Sequence, residues 1–96
     1  MIEHIVLLKK KPEATDEQME ELVARLKALQ DKIPNILDLT VGYNFSARGQ
    51  GFTIGLVVRF PDKAALEVYQ PHPAHQEVVQ YIRTVVSDLI VVDYEF

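Results

Sequence analysis

The segment Tyr69-Gln70-Pro71-His72-Pro73-Ala74-His75 holds two of the chain's three histidines and a tyrosine within seven residues. Proline fixes φ near about −65° and has no N–H to lose, so Pro73 suits the first position of a helix. His72 then falls at the N-cap and His75 at the third helical position. A histidine in a first turn feels the positive end of the helix dipole, which disfavours the imidazolium. Neutral imidazole is the form a general base needs, and a tyrosine O–H can donate to a carbonyl oxygen as charge develops there. His75 and Tyr69 are therefore candidate catalytic residues for removing a proton next to a carbonyl without a cofactor. Such chemistry supports aldol-type cyclisation, isomerisation or decarboxylation.

Each residue also has a plainer reading. His75 could bond a nearby carbonyl and do no more. His72 reads as a cap residue held between Pro71 and Pro73. Tyr69 is by default a core tyrosine. His4 lies on an otherwise apolar strand face, where a buried histidine must find a hydrogen-bond partner. It becomes a candidate substrate-binding residue because Tyr69 and His75 come from the helical layer over that same face. Tyr43 and Tyr94 are candidates for pocket wall.

The elements that must position these groups are legible as periodicities. Residues 2–9 alternate as a strand, with Ile2, His4, Val6 and Leu8 on one face. Thr15 and Gln18 form a capping box ahead of Met19, Leu22, Val23, Leu26, Leu29 and Ile33, which recur at helical spacing until Pro34. Residues 36–46 and 52–60 read as a hairpin across the turn Ala47-Arg48-Gly49-Gln50-Gly51. Asp62 caps a short helix through Leu66 and Tyr69. A longer helix runs from Pro73 to about Val86, and Ser87-Asp88 lead into a last strand with Ile90, Val92, Tyr94 and Phe96 on one face.

This order is β-α-β-β-α-β, a ferredoxin-like α+β fold with a four-stranded antiparallel sheet and helices on one face. The face carrying His4, Tyr43 and Tyr94 is the better candidate for burial under the helices. The other face mixes Ile5, Leu7, Val57, Leu89 and Val91 with charged residues. Such a patch is large for an exposed surface, and pairing two sheets face to face would bury it. A homodimer through the open sheet face is the expected partner arrangement.

Composition narrows the function further. The 96 residues suffice for one domain, spanning 1–96. A net charge of −4, with Lys9-Lys10-Lys11 the only basic run, argues against nucleic-acid binding. The absence of cysteine excludes disulfides, thiolate metal sites and cysteine nucleophiles. The histidines and carboxylates show no metal-ligand spacing, so no metal is expected. Neither a signal segment nor a spanning run is present, giving a cytoplasmic expectation and no membrane partner.

In four stretches the chain resembles the stress-responsive A/B barrel domain family: Glu3-His4-Ile5-Val6-Leu7-Leu8, the strand from Gly51-Phe52-Thr53 to Phe60, the Tyr69–His75 segment, and Asp93-Tyr94-Glu95. The resemblance covers essentially the whole length and implies a dimeric α+β barrel. A plant polyketide cyclase of that family implies a base at His75, a partner tyrosine at Tyr69 and a pocket-shaping histidine at His4. It implies no substrate beyond a small carbonyl or polyketide-like compound, and no cofactor. Two further readings stay open: a non-catalytic stress or assembly oligomer, and a haem-binding monooxygenase, since related dimeric barrels bind haem.

Overall fold

The computed structural model describes residues 1–96. Strand β1 spans Ile2–Lys10, helix α1 Asp16–Lys32, β2 Asp38–Tyr43, β3 Ile54–Phe60, α2 Lys63–Tyr69, α3 Pro73–Val85 and β4 Val86–Glu95. The four strands form one antiparallel sheet in the order β2-β3-β1-β4, the ferredoxin-like arrangement expected from the sequence. No helix is long and apolar enough to cross a membrane.

The helices start where the sequence places them. The Thr15 hydroxyl accepts from Gln18 N at 3.1 Å while Thr15 N donates to Gln18 Oε1 at 2.9 Å. This satisfies two amides that would otherwise lack partners. Asp62 caps α2 by accepting from Ala65 N at 2.9 Å. Helix α1 buries Met19, Leu22, Val23, Leu26 and Leu29 against the sheet. Tyr81 of α3 donates its O–H to Gln18 O at 3.2 Å and lies under the Arg25 guanidinium, tying α3 to α1. The core under the helices is built on Ile2, Val6, Leu8, Ile54, Leu56, Val58 and Phe60.

Three boundaries differ from the periodicity. Strand β2 is confined to 38–43 and β3 begins at Ile54. The residues between them form a loop stitched by Asn44, whose amide donates to Phe52 O and whose carbonyl accepts from Ser46 N. Gln50 and Gly51 take positive φ there, which ends strand geometry, and Phe45 projects fully into solvent. No connector precedes β4, because α3 passes from Val85 directly into strand at Val86.

The important difference is the face of β4. Lys10 pairs with Val86 and Lys9 with Asp88, leaving Ser87 unpaired as a bulge. One extra residue reverses the alternation of everything after it. His4 therefore stands opposite Asp93, Val6 opposite Val91 and Leu8 opposite Leu89, and these are the residues on the helix side. Ile90, Val92 and Tyr94 fall on the open side, with Tyr94 opposite Glu3. The expectation that Ile90, Val92 and Tyr94 sit beneath the helices is corrected by this bulge. Val86 still faces the core, 8% exposed, so the reversal happens within the bulge itself.

Deletion of Ser87 is expected to force residues 88–95 onto the opposite faces or to break the β1–β4 register. Urea denaturation should show a loss of about 3 kcal/mol or more, comparable to removing a large core side chain. The exposed Ser87→Ala substitution keeps the bulge and should change stability by no more than about 0.5 kcal/mol.

Candidate functional site

Tyr69, His75 and His4 meet in one cavity. It measures about 170 Å³ and lies between the helix-side face of β1 and β4 and the helices α2 and α3. Apart from the exposed Gln70, its other walls are apolar, from Val6, Leu26, Leu56, Val78, Ile82 and Val91 among others. The β4 bulge opens this space. It turns the apolar Val91 and Leu89 inward at an edge that α3 does not fully cover, and both stay about half exposed.

The turn between α2 and α3 sets His75. His72 is the N-cap of α3, its Nδ1 accepting from Ala74 N at 3.1 Å, with Pro73 in the first helical position. That assigns His72 a structural duty. The His75 Nδ1 lies 2.9 Å from the Gln70 carbonyl. A carbonyl only accepts, so Nδ1 carries the proton and donates it, leaving Nε2 as a bare acceptor. The same carbonyl also accepts from Gln76 Nε2 at 2.7 Å, which anchors the acceptor itself. Burial holds the His75 imidazole below the ordinary histidine range. The Gln70 carbonyl opposes that effect, and the neighbouring His4 and His72 rings reinforce it. The helix dipole alone predicts a neutral His75; in the folded chain desolvation is the main cause.

Tyr69 closes α2 with its ring packed 4.4 Å from that of His75 and 5.1 Å from that of Phe60. The residue is 1% exposed, and burial alone pushes its hydroxyl up to about 12. No group of the chain bonds the hydroxyl, yet no side-chain polar atom is sealed away without a partner. The hydroxyl therefore opens onto the cavity as an available donor. It remains protonated across the physiological range.

His4 reaches the cavity from β1. Its ring lies edge-on to Tyr69 at 5.8 Å and it is 5% exposed. The partner that a buried histidine requires is Asp93, whose carboxylate accepts from His4 Nδ1. Asp93 does not stand out in the sequence, because strict alternation puts it on the far face. The available signal is the demand of a buried histidine for an acceptor from the strand paired with β1. In the neutral ring this contact places the proton on Nδ1 and leaves Nε2 as an acceptor.

Tyr43 and Tyr94 do not join the cavity. Tyr43 stands at the far edge of the sheet beside Asn44 and is 53% exposed. Tyr94 is on the open face, 6.0 Å from the ring of Phe96. The bulge removes Tyr94, and the distance across the sheet from β4 to β2 removes Tyr43. Neither forms a wall of this site.

No three histidine or acidic side chains converge as metal ligands. An apolar cavity near 150 Å³ holds a molecule of about benzene size. The 170 Å³ here is of that order, so a porphyrin does not fit.

The sequence profile described as the stress-responsive A/B barrel domain matches residues 2–96. The chain is 36% identical over 95 residues to a stress-response A/B barrel domain-containing protein of Arabidopsis thaliana. The match takes in 94% of this chain but 35% of that longer protein. It is 28% identical over 95 residues to olivetolic acid cyclase of Cannabis sativa, covering 97% and 94% of the two chains. Among solved structures, a crystal structure from Arabidopsis thaliana superposes with a TM-score of 0.90 at 27% identity, over 99% and 94% of the two chains. A dimeric ferredoxin-like protein from Thermobifida fusca superposes at 0.88 with 22% identity, over 99% and 90%.

Because the Tyr69 hydroxyl bonds nothing in the chain, Tyr69→Phe is expected to leave stability unchanged or raise it by up to about 1 kcal/mol. Tyr69→Ala removes the ring as well and should cost about 3–5 kcal/mol in urea denaturation. Substantial destabilisation by Tyr69→Phe would show that the hydroxyl serves the fold.

Proposed function

The chain belongs to the stress-responsive A/B barrel domain family, and from that premise we propose that it is a cofactor-independent enzyme that moves a proton on a small carbonyl compound. One observation carries the reading. A histidine with a free ring nitrogen and a tyrosine with an unpartnered O–H line one benzene-sized cavity, their rings 4.4 Å apart. His75 Nε2 would remove a proton from the carbon next to the carbonyl. The C–H electron pair would move onto the carbonyl oxygen, where the Tyr69 O–H donates as negative charge builds. Tyr69 gives up no proton, since burial makes it too weak an acid.

The walls restrict the substrate. No lysine or arginine lines the cavity. A carboxylate or phosphate would lose its hydration there without gaining a counter-charge. An uncharged, compact and largely apolar molecule suits the space. Cyclisation, isomerisation and carbon–carbon cleavage all begin with this proton transfer. The likeness to olivetolic acid cyclase supports the class of chemistry without fixing the substrate. A non-catalytic stress protein would have no need for an open cavity among three polar groups.

We also propose that the chain works as a homodimer through its open sheet face. That face carries Ile5, Leu7, Val57, Ile90, Val92 and Tyr94, with Ile90, Val92 and Tyr94 each between 44% and 47% exposed. The Glu3–Arg59 pair at one end, bonded at 2.9 and 3.3 Å, balances its own charge and leaves no net charge to oppose pairing. Solved relatives in this fold are described as dimeric. Val92→Asp should place an unpaired charge in that interface and convert the dimer to monomer in light scattering. A wild-type monomer at micromolar concentration would refute the arrangement.

The catalytic reading is tested by α-hydrogen exchange in D₂O, followed by NMR, with cyclohexanone and 2-hydroxycyclohexanone as probes. Exchange above background is expected for at least one of them. His75→Ala should lower it by roughly 10²–10⁴-fold. The neutral imidazole is the active form and burial holds His75 below the ordinary histidine value of 6.5. The rate should therefore hold through neutral pH and fall only as the pH drops below that value. Exchange no faster than background for both probes would refute the reading.

A further inference from the structure

A base and an oxyanion donor account for His75 and Tyr69, yet the cavity presents a third polar atom. The His4 ring lines it, and its Nδ1 is committed to the Asp93 carboxylate. A carboxylate only accepts, so the proton of neutral His4 sits on Nδ1 and Nε2 carries a lone pair. Nε2 has no partner in the chain and is not sealed. The residue is 5% exposed, so the space it opens onto is the cavity.

The polar end of the cavity is thus asymmetric. Apart from the exposed Gln70, whose side chain solvent can satisfy, it offers one donor, the Tyr69 O–H, and two acceptors, the Nε2 atoms of His4 and His75. A simple ketone uses the donor through its oxygen and one acceptor through the C–H that is removed. It leaves the second acceptor unbonded inside an apolar enclosure, and a buried polar group left unpaired opposes binding. A molecule carrying a hydroxyl near its carbonyl engages all three groups.

We infer that His4 is a specificity-determining residue that accepts a hydrogen bond from a substrate hydroxyl, so that the site selects an uncharged hydroxycarbonyl compound, or the enol form of a dicarbonyl, over a plain ketone. Asp93 is the positioning residue that fixes the tautomer. It is suited to this because it lies at a boundary. Its carboxylate reaches His4 on the cavity side, while it also lines a shallower groove of about 320 Å³ with Lys63, Glu67, Gln70 and Glu95. Water in that groove solvates the carboxylate, and the cavity receives only the oriented imidazole. The same device, a carboxylate holding a histidine tautomer, orients the base in serine hydrolases. Here the consequence is selection of a hydroxyl donor, and it rests on the reading of the cavity as a carbonyl site.

The experiment compares cyclohexanone with 2-hydroxycyclohexanone on the intact protein, by NMR binding titration and by α-hydrogen exchange. The hydroxyketone should bind roughly tenfold tighter. His4→Leu keeps the shape and removes the acceptor, and should erase that preference by lowering the affinity for the hydroxyketone to that for the ketone. Asp93→Asn can present an N–H to Nδ1 and so place the ring proton on Nε2. It should shift the His4 ¹⁵N signals to the other tautomer and weaken the hydroxyketone selectively. A purely structural Asp93 would lower both affinities together. Equal affinity for the two probes, a preference that survives His4→Leu, or a wild-type His4 protonated at Nε2 each overturns the inference. If neither probe binds or exchanges, the carbonyl reading of the cavity falls, and the selection with it. Exchange without preference overturns the selection alone.

Discussion

One unpaired residue, Ser87, decides what both faces of this sheet can do. The bulge sits where α3 runs into β4, and it reverses the side on which every later residue projects. With it, Asp93 meets His4, Leu89 and Val91 border the cavity, and Ile90, Val92 and Tyr94 complete an apolar outer face. Without it, the helix side would receive the larger side chains and His4 would be buried with no acceptor. The bulge adds little stability of its own, because its side chain is exposed. Its effect is on register, and register is the strongest specification a half-buried strand has.

The fold was legible in the sequence because its signals are local and mutually consistent. The Thr15–Gln18 box, Asp62 and the His72-Pro73 pair mark helix starts through bonds made within a few residues, and all three caps appear as read. The alternation of β1 and β3 is equally local. Tyr69, His75 and His4 could be brought together on paper because two lie on one turn and the third on the face that turn covers. What escaped was information held between strands. Residues 86–96 alternate cleanly in either phase, and only the pairing of Lys9 and Lys10 with Asp88 and Val86 shows which phase is used. Asp93 and Tyr94 exchanged roles for that reason. The ends of β2 and β3 were misplaced by a related blindness. Phe45 and Phe52 look like strand residues, but Asn44 closes the loop on itself and Gly51 takes a φ that a strand cannot use.

The cavity has a cost that the rest of the core bears. Tyr69 is as buried as Leu22 or Phe60, yet its hydroxyl goes unbonded, and His4 and His75 each hold a free ring nitrogen beside it. Three polar atoms without partners around an apolar space are unfavourable for folding alone. They persist because the neighbouring contacts leave them no choice. Phe60 packs at a tilt against Tyr69, the Gln70 carbonyl accepts a hydrogen bond from His75 Nδ1, and the Asp93 carboxylate accepts one from His4 Nδ1. Each imidazole has one nitrogen used for orientation and the other kept free. This division of labour makes the site preorganised, since no side chain must rotate to present its lone pair or its O–H.

The two faces of the sheet can then serve separate ends without interfering. The cavity groups proposed for catalysis lie under the helices, and the apolar surface proposed for pairing lies on the opposite side, with the backbone of β1 and β4 between them. A partner seated on Ile90 and Val92 would press on the same strand that carries Leu89, Val91 and Asp93 one residue away. Dimerisation would hold β4 in its bulged register from outside, while the thin contact between α3 and β4 leaves the cavity edge open. An edge strand covered on neither side would be the part of the fold most prone to slip. Covering its outer face secures the register on which the His4–Asp93 contact depends, so the integrity of the site and the state of association are linked through one strand.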